Sequence, residues 1–303
     1  MPQDHAAASP KGGLPISGFT FVKNAIKLDF PVVASIRSVL PACEEVVVAV
    51  GRSEDDTLGL IHSINDPRIR VIETEWDLSR GRGVLADQTD IAMRACRHPW
   101  AIYIQADEVL SDGSAERLRD AIQAVDADRS VEGILVDYLH FYGGFDTIAT
   151  HRRMYRREVR AVRTDQALGI HSFRDAQGFR VGPEDRRIRA RRSGAAMHHY
   201  GWARSTEGVQ AKYEAQAQIW QWSEETRRTR MARDPYTWVP LLRHFPGPHP
   251  AAVRDWIAAH PGEAQAVFGP WHIHRSHVRY YLSAGVEALT GWRPFEFRNY
   301  TLV

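Results

Sequence analysis

Short apolar runs along this chain alternate between two spacings, one suited to strands and one to helices. Residues 16–25 (ISGFTFVKNA) make a short strand ending in a polar turn. Residues 28–40 carry apolar positions at helical spacing and stop at Pro41. Val46 to Val50 is a β-branched run closed by Gly51, short enough for a buried parallel strand. Ser53-Glu54-Asp55-Asp56-Thr57 supplies the acids and hydroxyls of a helix start, which Leu58 to Ile64 continues. Residues 69–73 are the next strand and 84–96 an amphipathic helix. Trp100 to Ile104 is a buried strand running straight into Gln105-Ala106-Asp107-Glu108. Strand and helix alternate throughout, which predicts an α/β fold: a mostly parallel sheet flanked by crossover helices. In such sheets ligands sit beyond the carboxyl ends of the strands. The polar clusters after Gly51 and Ile104 fall there.

After about residue 133 the pattern changes. Ile134 to Tyr142 reads as a strand broken by Gly143-Gly144, and an arginine-rich stretch leads through short β-like pieces to Met197–Trp202. Residues 206–231 read as one long polar helix, and from Pro235 the chain is rich in Pro, His and Trp. A second apolar helix near 277–289 precedes the tail Gly291-Trp292-Arg293-Pro294-Phe295. The expected division is a disordered lead-in at 1–14, an α/β domain at 15–205 and a C-terminal helical extension at 206–303.

Composition narrows the class. The chain has 303 residues, 44% apolar and 25% charged, the balance of a globular protein with a real core. Its net charge is only +2, yet four of the 39 basic residues are lysine and 35 are arginine. Arginine's planar fork suits phosphate and carboxylate, although a base-rich coding sequence gives the same bias. Cys43 and Cys96 can build neither a disulfide framework nor a cysteine zinc site. No run approaches the roughly 18 apolar residues of a membrane span. The N-terminal stretch lacks the apolar core of a secretory signal, so a cytoplasmic setting is the expectation.

Several clusters carry chemistry. Asp107 and Glu108, at the end of a buried strand, suit a divalent cation held with substrate phosphates, or else cap a helix starting near Ser111. Asp55 and Asp56 suit a nucleotide's base or ribose hydroxyls, or a helix N-cap. His198 and His199, adjacent on a strand, point to opposite faces, so one of them is available as a ligand. The arginines at 152–163 and 186–192 suit diphosphate, acidic lipid or nucleic acid, or form a solvated face. There is no nucleic-acid-binding signature, Walker loop, Rossmann glycine fingerprint or nucleophile elbow.

Taken in order, these segments resemble the family 2 glycosyltransferases of GT-A fold. Phe19, Lys23 and Asn24 look like that family's opening strand and turn. Ser53–Thr57 is similar to its Ser-Thr-Asp-Gly-Thr stretch, with Asp55 at the nucleotide-contacting aspartate. Gly83 to Ala92 resembles the helix before the metal motif, and Gln105-Ala106-Asp107-Glu108 stands where the family has Asp-x-Asp. Met197-His198-His199-Tyr200-Gly201 looks like its His-Tyr-Gly segment. The runs at 137–143 and 175–180 and the tail at 291–295 resemble a bacterial subgroup. The likeness covers most of 16–215.

The resemblance implies transfer of a sugar, with inversion, from a nucleotide-diphosphate donor to a hydroxyl of a saccharide or lipid-linked acceptor. It implies Mn²⁺ or Mg²⁺ held by Asp107 and His199, donor contacts from Phe19, Lys23, Asn24, Asp55 and Asp56, and no nucleic-acid partner. The acceptor's proton calls for a carboxylate base. Asp175 is the expected one, with Glu158 and Asp165 as rivals, while Arg157 and Arg180 are expected on diphosphate or an acidic acceptor. Gln105 is a departure: neutral where the family has Asp, it leaves a metal-weak variant open. A nucleotidyltransferase of the same fold, and a non-catalytic protein binding acidic polymer or a membrane surface through its arginines, are the competing readings. Peripheral membrane contact is compatible with the transferase reading.

Overall fold

The computed structural model describes residues 13–204, 206–232, 239–260 and 277–303. Most of the expected lead-in and the start of the Pro/His/Trp-rich stretch, including Pro235, lie outside the described residues. Four strands come first: β1 (Ile16–Val22), β2 (Glu45–Gly51), β3 (Ile69–Thr74) and β4 (Trp100–Tyr103). Helices α1 (Val32–Val39), α2 (Thr57–His62) and α3 (Gly83–Arg94) connect them. The order is β3-β2-β1-β4 with every neighbour parallel, an arrangement that requires crossovers of this kind. Alternation explains why β2 is apolar throughout. Val46, Val48 and Val50 enter one core with Val32 and Ile36 of α1, while Val47 and Ala49 enter a second with Ala92 and Met93 of α3. Gly18 lies inside β1, where a Cβ would come within 3.1 Å of Val46 and 3.2 Å of Cys43. It is a packing position, not part of a phosphate loop.

Beyond β4 follow β5 (Glu108–Leu110), α4 (Ser114–Val125), β6 (Gly133–Tyr142), β7 (Thr147–Ala149) and β8 (Arg157–Arg163). Then come β9 (Ile170–Phe173), β10 (Gly178–Val181) and the long β11 (Arg186–Trp202). The sheet continues β4-β8-β6-β11-β10-β9, with β8 antiparallel to both neighbours and β6 parallel to β11. The expected parallel sheet therefore runs from β3 to β4 and turns mixed beyond. Strand β5 occupies one edge of β11 and β6 the other, so Glu108 and His140 both stand beside His199. Because β5 intervenes before α4, neither Asp107 nor Glu108 caps that helix.

The helix expected over 206–231 is two: α5 (Thr206–Ile219) and α6 (Glu224–Met231). Gln221 turns the chain with φ of +51°, and Ser223 caps α6 by accepting from the Thr226 N–H. Then follow β12 (Leu242–His244), α7 (Arg254–Ala258), α8 (Val278–Thr290) and β13 (Tyr300–Leu302). β13 returns to the sheet parallel to β11. Among the described residues no helix is long and apolar enough to cross a membrane.

Most arginines of the two groups serve as internal ties. Arg156 binds Glu287 and Glu296, Arg157 binds Asp137, and Arg186 and Arg189 share Glu132. Arg163 donates to the carbonyls of Val125, Asp126, Asp128 and Val131. Arg160, fully buried, grips Glu108 through two bonds of 2.7 and 3.0 Å, and the Tyr138 hydroxyl donates to the same carboxylate at 2.7 Å. Removing one member of such a pair leaves a buried charge without its counter-ion. Arg160→Met is therefore expected to cost about 3–5 kcal/mol of stability in urea unfolding, with Glu108→Gln/Arg160→Met losing less than the two single changes summed. A near-neutral Arg160→Met would contradict this role.

Candidate active site

Past the carboxyl ends of β1, β3 and β4 lies a cleft of about 480 Å³. Its wall draws on distant segments: Lys23 and Asn24 after β1, Trp76 after β3, Gln105 and Asp107 after β4, Asp175 before β10, His199 of β11 and Lys212 of α5.

Strand pairing builds its centre. Tyr200 N–H donates to the Asp107 carbonyl at 2.8 Å, continuing the β5–β11 ladder and drawing the Asp107 carboxylate to His199. On the other edge, His140 Nε2 lies 2.7 Å from the Tyr155 carbonyl, which can only accept, so this nitrogen carries the hydrogen. Burial, reinforced by His199, pushes the His140 imidazole down to about 3, so it is neutral and its Nδ1 is bare. His199 must then donate from Nδ1 across 3.0 Å, which turns its Nε2 toward Asp107 Oδ2, 3.6 Å away. Lys212 donates to the same oxygen at 3.3 Å and to the Gly201 carbonyl at 2.9 Å. Burial raises the Asp107 carboxyl, but Lys212 and then His199 outweigh it and hold the group well below the carboxylate range. A Cβ on Gly201 would lie 2.6 Å from Asp107 Oδ2, 2.7 Å from His199 Nε2 and 2.9 Å from Lys212 Nζ. Glycine is what lets these three groups converge. His198, on the opposite face of β11, packs among Phe141, Tyr200 and Phe245.

Gln105 acts as a clamp. Its amide donates to the Ala176 carbonyl at 3.0 Å and to the Tyr103 hydroxyl at 3.3 Å. Arg160 donates to the neighbouring Gln177 carbonyl at 3.0 Å. Together they pin the β9–β10 turn that carries Asp175 into the wall of the cleft. Glu158 lies elsewhere, 1% exposed, bonded by Asn299 at 2.9 Å, and burial raises its carboxyl. Asp165 accepts from Ala167 N–H at 3.0 Å, away from the cleft.

Arg153, from the arginine-rich stretch, also lines the cleft, whereas the other residues singled out in the sequence do not. Phe19 is core, stacked on Tyr103. Asp55 accepts from Lys27 N–H at 2.7 Å and Thr57 N–H at 3.0 Å, fastening the turn that carries Lys23 and Asn24. Asp56 caps α2 through Gly59 N–H at 3.1 Å. Arg157 faces Asp137, and Arg180 donates to the Asn299 carbonyl while lying 4.3 Å from the Phe173 ring. Conversely, the sequence reading missed Lys212, Trp76 and Trp220 as wall residues. The indole N–H groups of Trp76 and Trp220 are buried with no partner among the described residues. The one available signal for Lys212 was its rarity, a lysine in an arginine-dominated chain.

The donor set does not suit a resident dication. Among the described residues no cluster of three or more His, Cys, Asp or Glu side chains converges. The two groups expected as ligands, Asp107 and His199, share their approach with the Lys212 ammonium. A dication about 4 Å from that ammonium would meet repulsion on the order of 8 kcal/mol at an effective dielectric of about 20. Glu108, the other acid of the motif, is closed off by Arg160.

No family model and no curated protein matches the chain. Among solved structures it is similar to S. aureus TarS 1-349, at 14% identity and a TM-score of 0.41 over 72% of this chain and 70% of that one. It is also similar to mannosyl-3-phosphoglycerate synthase from Rubrobacter xylanophilus, at 18% identity and a TM-score of 0.29 over 44% of this chain and 43% of that one. Glucosyl-3-phosphoglycerate synthase from Mycobacterium tuberculosis, solved with Mn²⁺, UDP and phosphoglyceric acid, gives 15% identity and a TM-score of 0.30 over 42% and 44%. The chain spans 39% of the longer TarS chain. Likeness at this level assigns no residue a role.

Buried neutral histidines make stability depend on pH. Burial pushes His140 down to about 3 and His151 and His198 to about 4. Unfolded histidine titrates near 6.5, so on acidification the unfolded chain takes up protons that the folded chain refuses. Stability is full above about pH 6.5 and is lost as pH falls toward 4. Asp90 and Glu158, raised by burial, act in the opposite sense near the carboxylate range. The urea midpoint is expected to drop between pH 7 and pH 5; a rise would overturn the assignment of three neutral histidines.

Proposed function

We propose that the chain is an inverting GT-A glycosyltransferase that moves a sugar from a nucleotide-diphosphate donor to a hydroxyl acceptor. In this reading 15–205 forms the donor-binding domain, and Lys212 of the 206–303 extension completes its site. One observation carries it: Lys23 and Asn24, Asp107, Asp175 and His199, from four separated segments, line a single cleft beyond the strand ends. The competing binding-surface reading needs free arginines, and most of those it rests on are tied to internal carboxylates. The nucleotidyltransferase reading needs a glycine-rich loop after β1, and Gly18 is a strand-interior residue.

The chemistry follows from the residues. The acceptor oxygen bonds to the anomeric carbon from the face opposite the donor diphosphate, and the bond from that carbon to the diphosphate oxygen breaks. The acceptor's proton passes to a carboxylate, and in this reading Asp175, which shares the cleft wall with Glu54 and Asp107, takes it. Trp76 and Trp220 are wall residues whose flat rings suit stacking on a sugar or base. The acceptor is a saccharide or lipid-linked hydroxyl.

A thermal-shift screen of UDP-, GDP- and dTDP-sugars tests the donor. The right one at about 100 Kd should add roughly 2.7 kcal/mol of stability. With that donor, Asp175→Asn should lower kcat by about 10²–10⁴ while leaving the donor KM within a few-fold. Unchanged turnover in Asp175→Asn would remove it as the base.

A further inference from the structure

A divalent cation at Asp107 would normally neutralise the diphosphate, but that carboxylate already has a cation. Lys212 is held by two acceptors, Asp107 Oδ2 and the Gly201 carbonyl. An ammonium has three hydrogens, and Lys212 is itself a wall residue of the cleft, so one donor remains for a ligand. The Trp202 ring, its centroid 5.1 Å from Nζ, packs against the ammonium and helps hold it in place. Gly201 leaves room for the contact, since any Cβ there would collide with all three charged or ring groups. The first motif position reinforces the point. Gln105 brings no charge, and its amide donates to the Ala176 carbonyl in the turn bearing Asp175 and to the Tyr103 hydroxyl of β4.

We propose that Lys212, rather than a divalent metal ion, supplies the positive charge that binds the donor's diphosphate and stabilises it as the leaving group. The proposal rests on the glycosyl-transfer reading above. When the bond between the anomeric carbon and the diphosphate oxygen breaks, the electron pair stays on that oxygen and meets the ammonium. The acceptor's proton goes to Asp175, so Lys212 keeps its own protons throughout. Asp107 then positions Lys212 by holding its ammonium at the cleft wall. It is not a metal ligand.

The whole 303-residue chain, stripped of metal with a chelator, tests this with inorganic pyrophosphate and Mn²⁺ as separate probes in calorimetry. Pyrophosphate is expected to bind the wild type as well in chelator as without it. Lys212→Met should weaken that binding at least tenfold, and Lys212→Arg should keep it within a few-fold. Mn²⁺ alone should bind the wild type no tighter than millimolar, and Lys212→Met should bind it at least tenfold better, because the Asp107 carboxylate is freed. If Lys212→Met fails to fold, the wild-type and Lys212→Arg measurements still decide. Pyrophosphate or nucleotide-sugar binding that needs Mn²⁺, unaffected by Lys212→Met, overturns the proposal and leaves the transferase reading standing. If neither pyrophosphate nor any nucleotide sugar binds with or without Mn²⁺, both fall.

Discussion

The Glu108–Arg160 pair is the interaction on which the site's geometry depends. Glu108 closes the turn after β4 by accepting from Gln105 N–H at 3.1 Å, and Arg160 reaches it from β8. Arg160 also holds the Gln177 carbonyl, and Tyr138 reaches the same carboxylate from β6. One fully buried ion pair thus ties four segments: the turn that presents Asp107, the turn that presents Asp175, and two strands between them. Its desolvation is offset because every oxygen and most guanidinium hydrogens have partners. Two tyrosine rings, each centred 5.2 Å from the guanidinium, complete the enclosure.

The division of labour between arginine and lysine has the same origin. Arginine's fork binds two acceptors at once, which makes it suited to fastening strands, and the arginines of β8 and β11 do this. Lysine carries a compact charge on a flexible stem, suited to meeting a ligand that arrives and leaves. Of the four lysines, Lys23 and Lys212 line the cleft and Lys27 pairs with Glu54 beside it. A near-zero net charge therefore conceals two populations of cation, one structural and mostly arginine, the other facing the cleft, where Arg153 joins Lys23 and Lys212.

Strand β11 converts topology into chemistry. Two strands flank it with fixed registers, so Glu108, His199 and His140 fall into one row. Alternation along the strand sends His199 to the cleft and His198 to an aromatic cluster. The hydrogen bond from His140 to a carbonyl then dictates which nitrogen of His199 faces Asp107. A proton arrangement at the cleft is set by a backbone oxygen on a different segment.

Local pattern alone determined the helices and parallel strands of the first hundred or so residues and the carboxyl ends at which chemistry gathers, but not the break at Gln221 or the mixed half of the sheet. Residues 46–50 can only be a strand buried on both faces, and Asp107 at the end of Trp100–Tyr103 can only lie at a strand's mouth. These are consequences of neighbours a few residues apart, which periodicity reports directly. The sequence also singled out Asp107 by its place at a strand end and Asp175 and His199 through resemblance, and it named Glu158, Asp55, Asp56, Arg157 and Arg180 beside them. Only the tertiary structure separated them, because whether a charge faces a cleft, an internal partner or a helix end depends on strand register and burial. Lys212 is the clearest case. It meets Asp107 across 105 residues of chain, and nothing within its own helix distinguishes it from a solvated lysine. Pairing at that range is fixed by the whole sheet, so composition could register the charge while only the fold could assign it a partner.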